Sequence, residues 1–157
     1  LVGVYKRYQT IMSAYSEQVL VDKLKKLSAT QQSIQTLSHW IMYHRKRYAQ
    51  SVKRWYSELL IADTSQKLTF LYLANDVMQQ SRRKGGEFIK EFSSIMGEAI
   101  THVIKSTSAG TEKQVLRLIS IWEERRVFPK AFLDPIVASV KGQTSKPAKA
   151  RDFLMKE

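Results

Sequence analysis

The chain has 157 residues, of which 43% are hydrophobic and 25% charged, and its formal net charge is +12. These values fit one folded domain with its own core, and they exclude an intrinsically disordered chain and a membrane-spanning helix of about 20 apolar residues. The absence of cysteine excludes disulfides, thiolate metal sites and thiol catalysis. The positive charge indicates an acidic partner, which is nucleic acid, an anionic lipid surface or a phosphorylated peptide.

Four helices are predicted in the first half of the chain. Apolar residues at helical spacing mark the first three, over residues 16–27, 30–46 and 49–61. The fourth is expected to open at Thr64 or Ser65, both good N-cap residues, and to continue to about Arg83. Residues 68–74 are apolar on nearly every side, so this helix is predicted to be the central one.

The second half of the chain is predicted to be helical as well, after a break at Gly85 and Gly86. The pattern indicates a helix, a loop and two further helices, over residues 88–104, 106–110, 111–127 and 129–140. Thr111 and Gln114 match a capping box at the start of the third of these segments. No strand alternation competes with this pattern, so the expected fold class is all-α, built from consecutive short helices.

One row of the helix over residues 111–127 has an unusual charge pattern. Lys113, Arg117, Ile121 and Arg125 lie four apart and therefore form one line along the helix. Neither arginine has an acidic residue three or four positions away. A phosphate brings about −1.5 to −2 charges that an arginine fork can bind through charge-assisted bonds. The alternative is a solvated basic face without a ligand.

The central helix carries a polar row at the edge of its apolar part. Tyr72, Asp76, Gln80 and Lys84 lie four apart, and Asn75 lies beside them. This pattern fits a groove for an extended peptide, in which Tyr72 provides apolar contact and Asn75 and Asp76 bind backbone or hydroxyl groups. The alternative is that Asn75 and Asp76 satisfy backbone groups of a neighbouring loop. With the arginine row, the strip would read a peptide carrying an aromatic side chain and a phosphate.

Catalytic and metal-binding patterns are weak in this sequence. His39 and His44 are five apart, which is wrong for two ligands on one helical face, and His102 stands alone. The glycine pair at residues 85–86 lacks the spacing and the Lys-Ser/Thr of a phosphate-binding P-loop. We therefore expect no enzyme, no metal and no cofactor.

Three separated motifs resemble the CTD-interacting domain family. They are LYLANDV over residues 71–77, SIQTLS over residues 33–38 and SIWEER over residues 120–125. Within that family the sequence is most similar to the regulators of nuclear pre-mRNA domain-containing proteins. The resemblance spans residues 12–140 and implies a right-handed superhelix of about eight short helices, similar to the ENTH and VHS architectures. It also implies binding to the phosphorylated heptad-repeat tail of RNA polymerase II, in transcription regulation or termination and pre-mRNA processing, and a nuclear location.

The resemblance assigns roles to individual residues. Arg117 matches the arginine that contacts phosphate on the second-position serine of the heptad. Asn75 and Asp76 match polar residues near the heptad tyrosine, and Tyr72 and Ile121 match apolar walls of the peptide groove.

Four further residues complete the predicted phosphopeptide site. Gln31, Gln80 and Arg125 are similar to groove positions of the family, with Arg125 as the second anion contact. Lys113 is added from its helical spacing to Arg117 and not from the resemblance.

Two parts of the chain depart from the family pattern. Residues 1–11 are expected to be an extension foreign to the domain, and residues 141–157 are expected to be a basic tail or linker. Relatives continue into a coiled coil that pairs chains, but the tail lacks heptads, so dimerisation is not expected of this stretch.

Several partners follow from these assignments. The resemblance implies a phosphatase or processing complex as an additional protein partner, while RNA binding through lysine and arginine is a secondary expectation and would depend steeply on salt. The competing function is a trafficking adaptor that binds phosphoinositides or sorting signals. No strongly amphipathic N-terminal helix supports it, so no membrane partner is expected.

Overall fold

A computed structural model of the chain describes residues 1–4 and 13–144. Within residues 13–144 the backbone forms eight α-helices and no strand, so the predicted all-α class is confirmed. The helices are α1 (Glu17–Lys25), α2 (Gln31–Tyr43), α3 (Tyr48–Ile61), α4 (Thr64–Ser81), α5 (Glu87–Ser93), α6 (Met96–Ser106), α7 (Thr111–Glu124) and α8 (Lys130–Thr144). Two short 3₁₀ turns, Arg45–Arg47 and Arg82–Lys84, follow α2 and α4.

The chain divides into two compact units, the first ending at Met96 and the second beginning at Gly97. Helix α8 continues to Thr144, past the predicted start of the tail at Lys141. Residues 5–12 and 145–157 lie outside the described residues; they include residues 5–11 of the predicted extension, the predicted first residue of the domain and the rest of the predicted tail.

Helix α4 is central in the first unit, as its apolar composition predicts. It packs against α2, α3 and α5, and buries Phe70, Leu71 and Leu73 almost completely. The indole Nε1 of Trp55, in α3, donates a buried hydrogen bond to the backbone oxygen of Phe70 at 3.0 Å. The Trp55 N–H therefore has a partner within the core, and α3 is fixed against α4.

A side chain caps the N-terminus of α2, whereas no side chain within the described residues caps the N-terminus of α4. The Thr30 side chain caps α2 by accepting from the backbone N–H of Ser33 at 3.2 Å. The expected side-chain cap of α4 was wrong, because the helix begins at Thr64 and its N-cap residue Asp63 makes no side-chain capping bond. The buried Lys67 instead provides hydrogen bonds to the C-terminal turn of the preceding helix, α3. Its Nζ donates to the backbone oxygens of Leu59 and Leu60.

The continuous helix predicted over residues 88–104 was also wrong. Helix α5 ends at Ser93 and α6 begins at Met96. At the junction the backbone N–H of Ser94 bonds to the oxygen of Glu91, and that of Ile95 bonds to the oxygen of Phe92. These tighter i to i+3 bonds, with the Ser94 hydroxyl donating to Glu91, interrupt the α-helical ladder.

In the second unit α7 packs against α8. Helix α7 buries Val115, Leu118, Ile119 and Trp122 on one side. The Trp122 ring meets Phe128 edge to face, with ring centroids 5.6 Å apart. The predicted capping box was wrong, because Gly110 occupies the N-cap position in a helical conformation and no side chain caps the helix.

Candidate peptide-binding residues

Four of the predicted residues lie on one strip of α4, which we call the α4 strip: Tyr72, Asn75, Asp76 and Gln80. Tyr72, Asn75 and Asp76 are half-buried, whereas Gln80 is exposed. The opposite side of α4 is buried in the first unit, whereas this strip remains at least partly accessible. Gln31 is exposed at the first position of α2, which packs on α4.

Asn75 is held by a neighbour on its own helix. The side-chain Nε2 of Gln79 donates to Oδ1 of Asn75 at 2.7 Å, one helical turn away. This bond occupies an acceptor lone pair of the amide and limits its rotation.

Asp76 has an unusual environment. Its Oδ2 atom is buried and has no hydrogen-bond partner within the part of the chain that the structure describes. A buried carboxylate oxygen without a partner costs about 1–3 kcal/mol or more, so such an atom in a folded protein requires an explanation. A ligand that donates a hydroxyl or N–H proton to Asp76 would supply the missing bond.

The second predicted set lies in the second unit, on and just after α7. Lys113, Arg117 and Arg125 are exposed and Ile121 is half-buried, and we call these four residues the cation row. No hydrogen bond or ion pair of Arg117 is found within residues 13–144. The buried side of α7 anchors the helix, while the exposed guanidinium of Arg117 remains available to an anion.

The end of α7 contains a feature that the sequence did not reveal. The backbone N–H of Arg126 bonds to the oxygen of Glu123 at 3.1 Å, and that of Val127 bonds to the oxygen of Trp122 at 2.8 Å. This is the bond pattern of a Schellman motif, and its left-handed position is occupied by Arg126 with φ of 56°. Glycine is the usual residue there because a Cβ is unfavourable in this conformation.

A basic concavity in the first unit was also missed from the sequence. It has a volume of about 700 Å³ and includes Gln80, at the end of the α4 strip. The available signal was the pair of cationic triplets at residues 45–47 and 82–84, but their proximity depends on the packing of α2 against α4. Lys84, which the sequence places in the α4 row, lines this concavity.

Other kinds of site are not supported in the described residues. No group of three or more histidine, cysteine, aspartate or glutamate side chains there is arranged to hold a metal ion. None of the helices in that part of the chain is both long and apolar enough to span a bilayer.

Sequence comparisons agree with the motif resemblance. Residues 18–136 match the family described as CID domain. The chain is 46% identical over 134 residues to regulation of nuclear pre-mRNA domain-containing protein 1B of Homo sapiens, covering 85% of this chain and 41% of that protein. It is 47% identical over 138 residues to regulation of nuclear pre-mRNA domain-containing protein 1A of Homo sapiens, covering 88% of this chain and 44% of that protein. The chain therefore spans about two-fifths of the length of these relatives.

Structural comparisons identify the fold. The CTD-interacting domain (CID) of Seb1 from S. pombe is 18% identical, with a TM-score of 0.73, and the match covers 81% of this chain and 95% of that one. A non-canonical CID of Ctk3 is 15% identical, with a TM-score of 0.74, and the match covers 83% of this chain and 96% of that one. The predicted CID fold is confirmed.

Proposed function

The chain belongs to the CID family, and we propose on that basis that it is a protein-interaction module that reads the phosphorylated heptad tail of RNA polymerase II. The heptad is rich in tyrosine, serine and proline, and phosphorylation gives it the negative charge that this chain of net charge +12 would attract. Binding to this tail would place the protein in the nucleus, in transcription regulation or termination and pre-mRNA processing. A processing complex or a phosphatase would then be recruited through the bound polymerase.

The observation that carries the proposal is the exposure of the cation row on a helix whose other side is buried. We assign Arg117 to the phosphate on the second-position serine, because its fork can make two parallel charge-assisted bonds. Arg125 and Lys113 would add positive charge along the same line of α7, and Ile121 would provide apolar contact between the cations.

The α4 strip supplies the features needed for a tyrosine. Asp76 would accept the phenolic hydroxyl once its side chain turns towards the peptide, because Oδ2 is buried and has no partner in the described residues. Tyr72 would contact the ring, while Asn75 and Gln80 would bind peptide backbone groups. Gln31, exposed at the start of α2, is assigned a backbone contact as well.

The test is a fluorescence-anisotropy titration with two-heptad peptides that are unmodified or phosphorylated on the second or fifth serine, at two salt concentrations. Preference for the second-serine phosphate should survive moderate salt, because a paired guanidinium and phosphate are less screened than a diffuse surface charge. Arg117→Ala should weaken binding of that peptide about tenfold to a hundredfold, the effect of losing a charge-assisted bond.

Two variants make this test specific. Arg117→Lys keeps the charge but loses the fork, so it should recover only part of the affinity. Lys105→Ala removes one exposed charge elsewhere in the second unit and should leave the preference unchanged. An equal loss for phosphorylated and unmodified peptides in Arg117→Ala would mean that Arg117 acts through the fold and not as a phosphate contact.

A further inference from the structure

The basic concavity of the first unit lies where α2 and α4 both end. Its volume is about 700 Å³, and it is bordered by Tyr15, His39, Met42, Tyr43, His44, Arg45, Lys46, Arg47, Gln80 and Lys84. A smaller hollow of about 190 Å³ shares Met42, Arg45, Lys46 and Lys84 with it. The cations on the 3₁₀ turns after the two helices therefore border one connected surface.

Cations outnumber acidic residues on this surface, where Glu87 in the smaller hollow is the one carboxylate among the described lining residues. Arg45, Lys46, Arg47 and Lys84 are all exposed, and no carboxylate is among the described residues that line the larger concavity. Cations after a helix C-terminus are stabilised by its dipole, which explains why each turn is basic. The dipoles do not explain why cations of both turns border the same hollow, where like charges repel. An anion bound between them would remove that repulsion.

The concavity also has groups suited to a peptide. Tyr43 is 50% exposed, and its ring meets that of His44 edge to face at 4.9 Å. Gln80 offers both an amide donor and an acceptor at the rim. A phosphorylated peptide segment could thus find apolar, hydrogen-bonding and cationic partners together.

The position of the concavity relates it to the α4 strip. Lys84 follows Asp76 by about two helical turns, which is roughly 12 Å along the axis. An extended peptide advances about 3.3 Å per residue, so this distance corresponds to about four residues. We propose that the concavity is a second phosphate subsite, which binds a phosphoserine three to five residues from the tyrosine bound at Asp76. This inference rests on the proposed function and adds to it a contact from the first unit.

The experiment uses two-heptad peptides that carry the second-serine phosphate, with or without one further phosphoserine. The added phosphate is placed four residues after the central tyrosine, three residues before it, or at the far end of the peptide. One of the two near positions should tighten binding about threefold to tenfold, while the far position should add less, since exposed charge pairs are screened.

Charge-reversal variants separate a subsite from general attraction. Arg45→Glu combined with Lys46→Glu should abolish the gain from the near phosphate. Lys53→Glu combined with Lys105→Glu changes the net charge by the same amount at exposed positions that do not line the concavity. This double variant should retain the gain from the near phosphate. Lys84→Gln, on the other turn, should reduce the gain independently, and circular dichroism should show an unchanged unfolding midpoint for each variant.

The outcomes distinguish this inference from the proposed function. Second-serine preference without any gain from a near phosphate would overturn the subsite and leave the reader function supported. An equal gain in both double variants would overturn it in favour of diffuse attraction. Tighter binding of a ten-nucleotide single-stranded RNA than of every phosphopeptide, lost in the Arg45 and Lys46 variant, would overturn it in favour of an RNA surface. Loss of second-serine preference itself would instead count against the proposed function.

Discussion

Gln79 donates its side-chain Nε2 hydrogen to Oδ1 of Asn75 over 2.7 Å, so the two amides are linked across one turn of α4. Asn75 is therefore oriented before any peptide arrives, which reduces the side-chain entropy lost on binding. We expect Gln79→Ala to weaken binding of the tail peptide about twofold to fivefold by anisotropy titration. The helix itself should form normally, because alanine has the highest helix propensity.

A double-mutant cycle tests whether Gln79 acts through Asn75. In an Asn75→Ala background the further change Gln79→Ala should have almost no effect on affinity, since no amide remains to be oriented. Additive losses from the two substitutions would contradict this, and would indicate that Gln79 contacts the peptide itself.

Asp76 gives the second prediction, because its Oδ2 is buried without a hydrogen-bond partner in the described residues and could accept a peptide donor if the side chain turned outward. Exchange of tyrosine for phenylalanine in the peptide should cost wild-type protein about tenfold in affinity, and should cost Asp76→Ala protein little. Asp76→Ala should raise the unfolding free energy by up to about 1–3 kcal/mol, since it removes a buried oxygen that has no hydrogen-bond partner in the described residues. Urea unfolding and anisotropy titration measure the two effects separately.

Asp63→Ala is the matched control for that experiment. Asp63 is an exposed aspartate of the same unit, at the start of α4, and its side chain makes no capping bond. The Asp63→Ala substitution removes the same charge at a position outside the α4 strip, so this variant should retain the full preference for tyrosine over phenylalanine. If Asp76→Ala shows the same preference as Asp63→Ala, then the tyrosine hydroxyl does not bind Asp76.

Much of the fold is predictable because helical spacing reports directly which side of a segment is buried. Residues 30–46 and 49–61 were recognised in this way, and the structure buries Trp40 and Trp55 within them. The break at residues 94–95 was missed because apolar residues keep helical spacing across it and neither of these two residues is proline or glycine. The start of α7 was misjudged because Gly110 adopts a helical conformation and shifts the cap position by one residue.

The candidate site was predictable only where it depends on one helix. Spacing along α4 and α7 was enough to put Asp76 and Arg117 on accessible strips. The lack of a hydrogen-bond partner for Asp76 Oδ2 within the described residues and the basic concavity at Gln80 depend on how neighbouring helices pack, which no local pattern reports. The left-handed conformation of Arg126 was hidden because an arginine stands where glycine would have signalled it.

Arg126 gives a prediction on stability. Its φ of 56° is unfavourable for a residue with a Cβ, so Arg126→Gly should raise the unfolding free energy by about 0.5–1 kcal/mol. Arg126→Ala keeps the Cβ while it removes the same long side chain, and should show no such gain. Urea unfolding of the three proteins measures the difference. Equal stability of the glycine and alanine variants would show that the backbone conformation costs little here.

Lys67 gives a prediction on the end of α3. Its Nζ donates to the backbone oxygens of Leu59 at 2.9 Å and Leu60 at 3.2 Å, and the residue is only 4% exposed. Lys67→Met retains most of the apolar stem but leaves both carbonyl groups without this donor. We expect the free energy of unfolding at pH 7 to fall by about 1–3 kcal/mol, measured by urea denaturation.

The stability contribution of Lys67 should also depend on pH. Burial lowers the pKa of the Lys67 ammonium below its ordinary value of 10.5. Between the folded and unfolded pKa values the unfolded chain binds more protons, so the contribution of Lys67 to stability rises as pH increases through that window. The advantage of wild type over Lys67→Met should therefore grow from pH 7 towards pH 10.5. A shrinking advantage would mean that the two carbonyl oxygens outweigh burial and raise the pKa of Lys67.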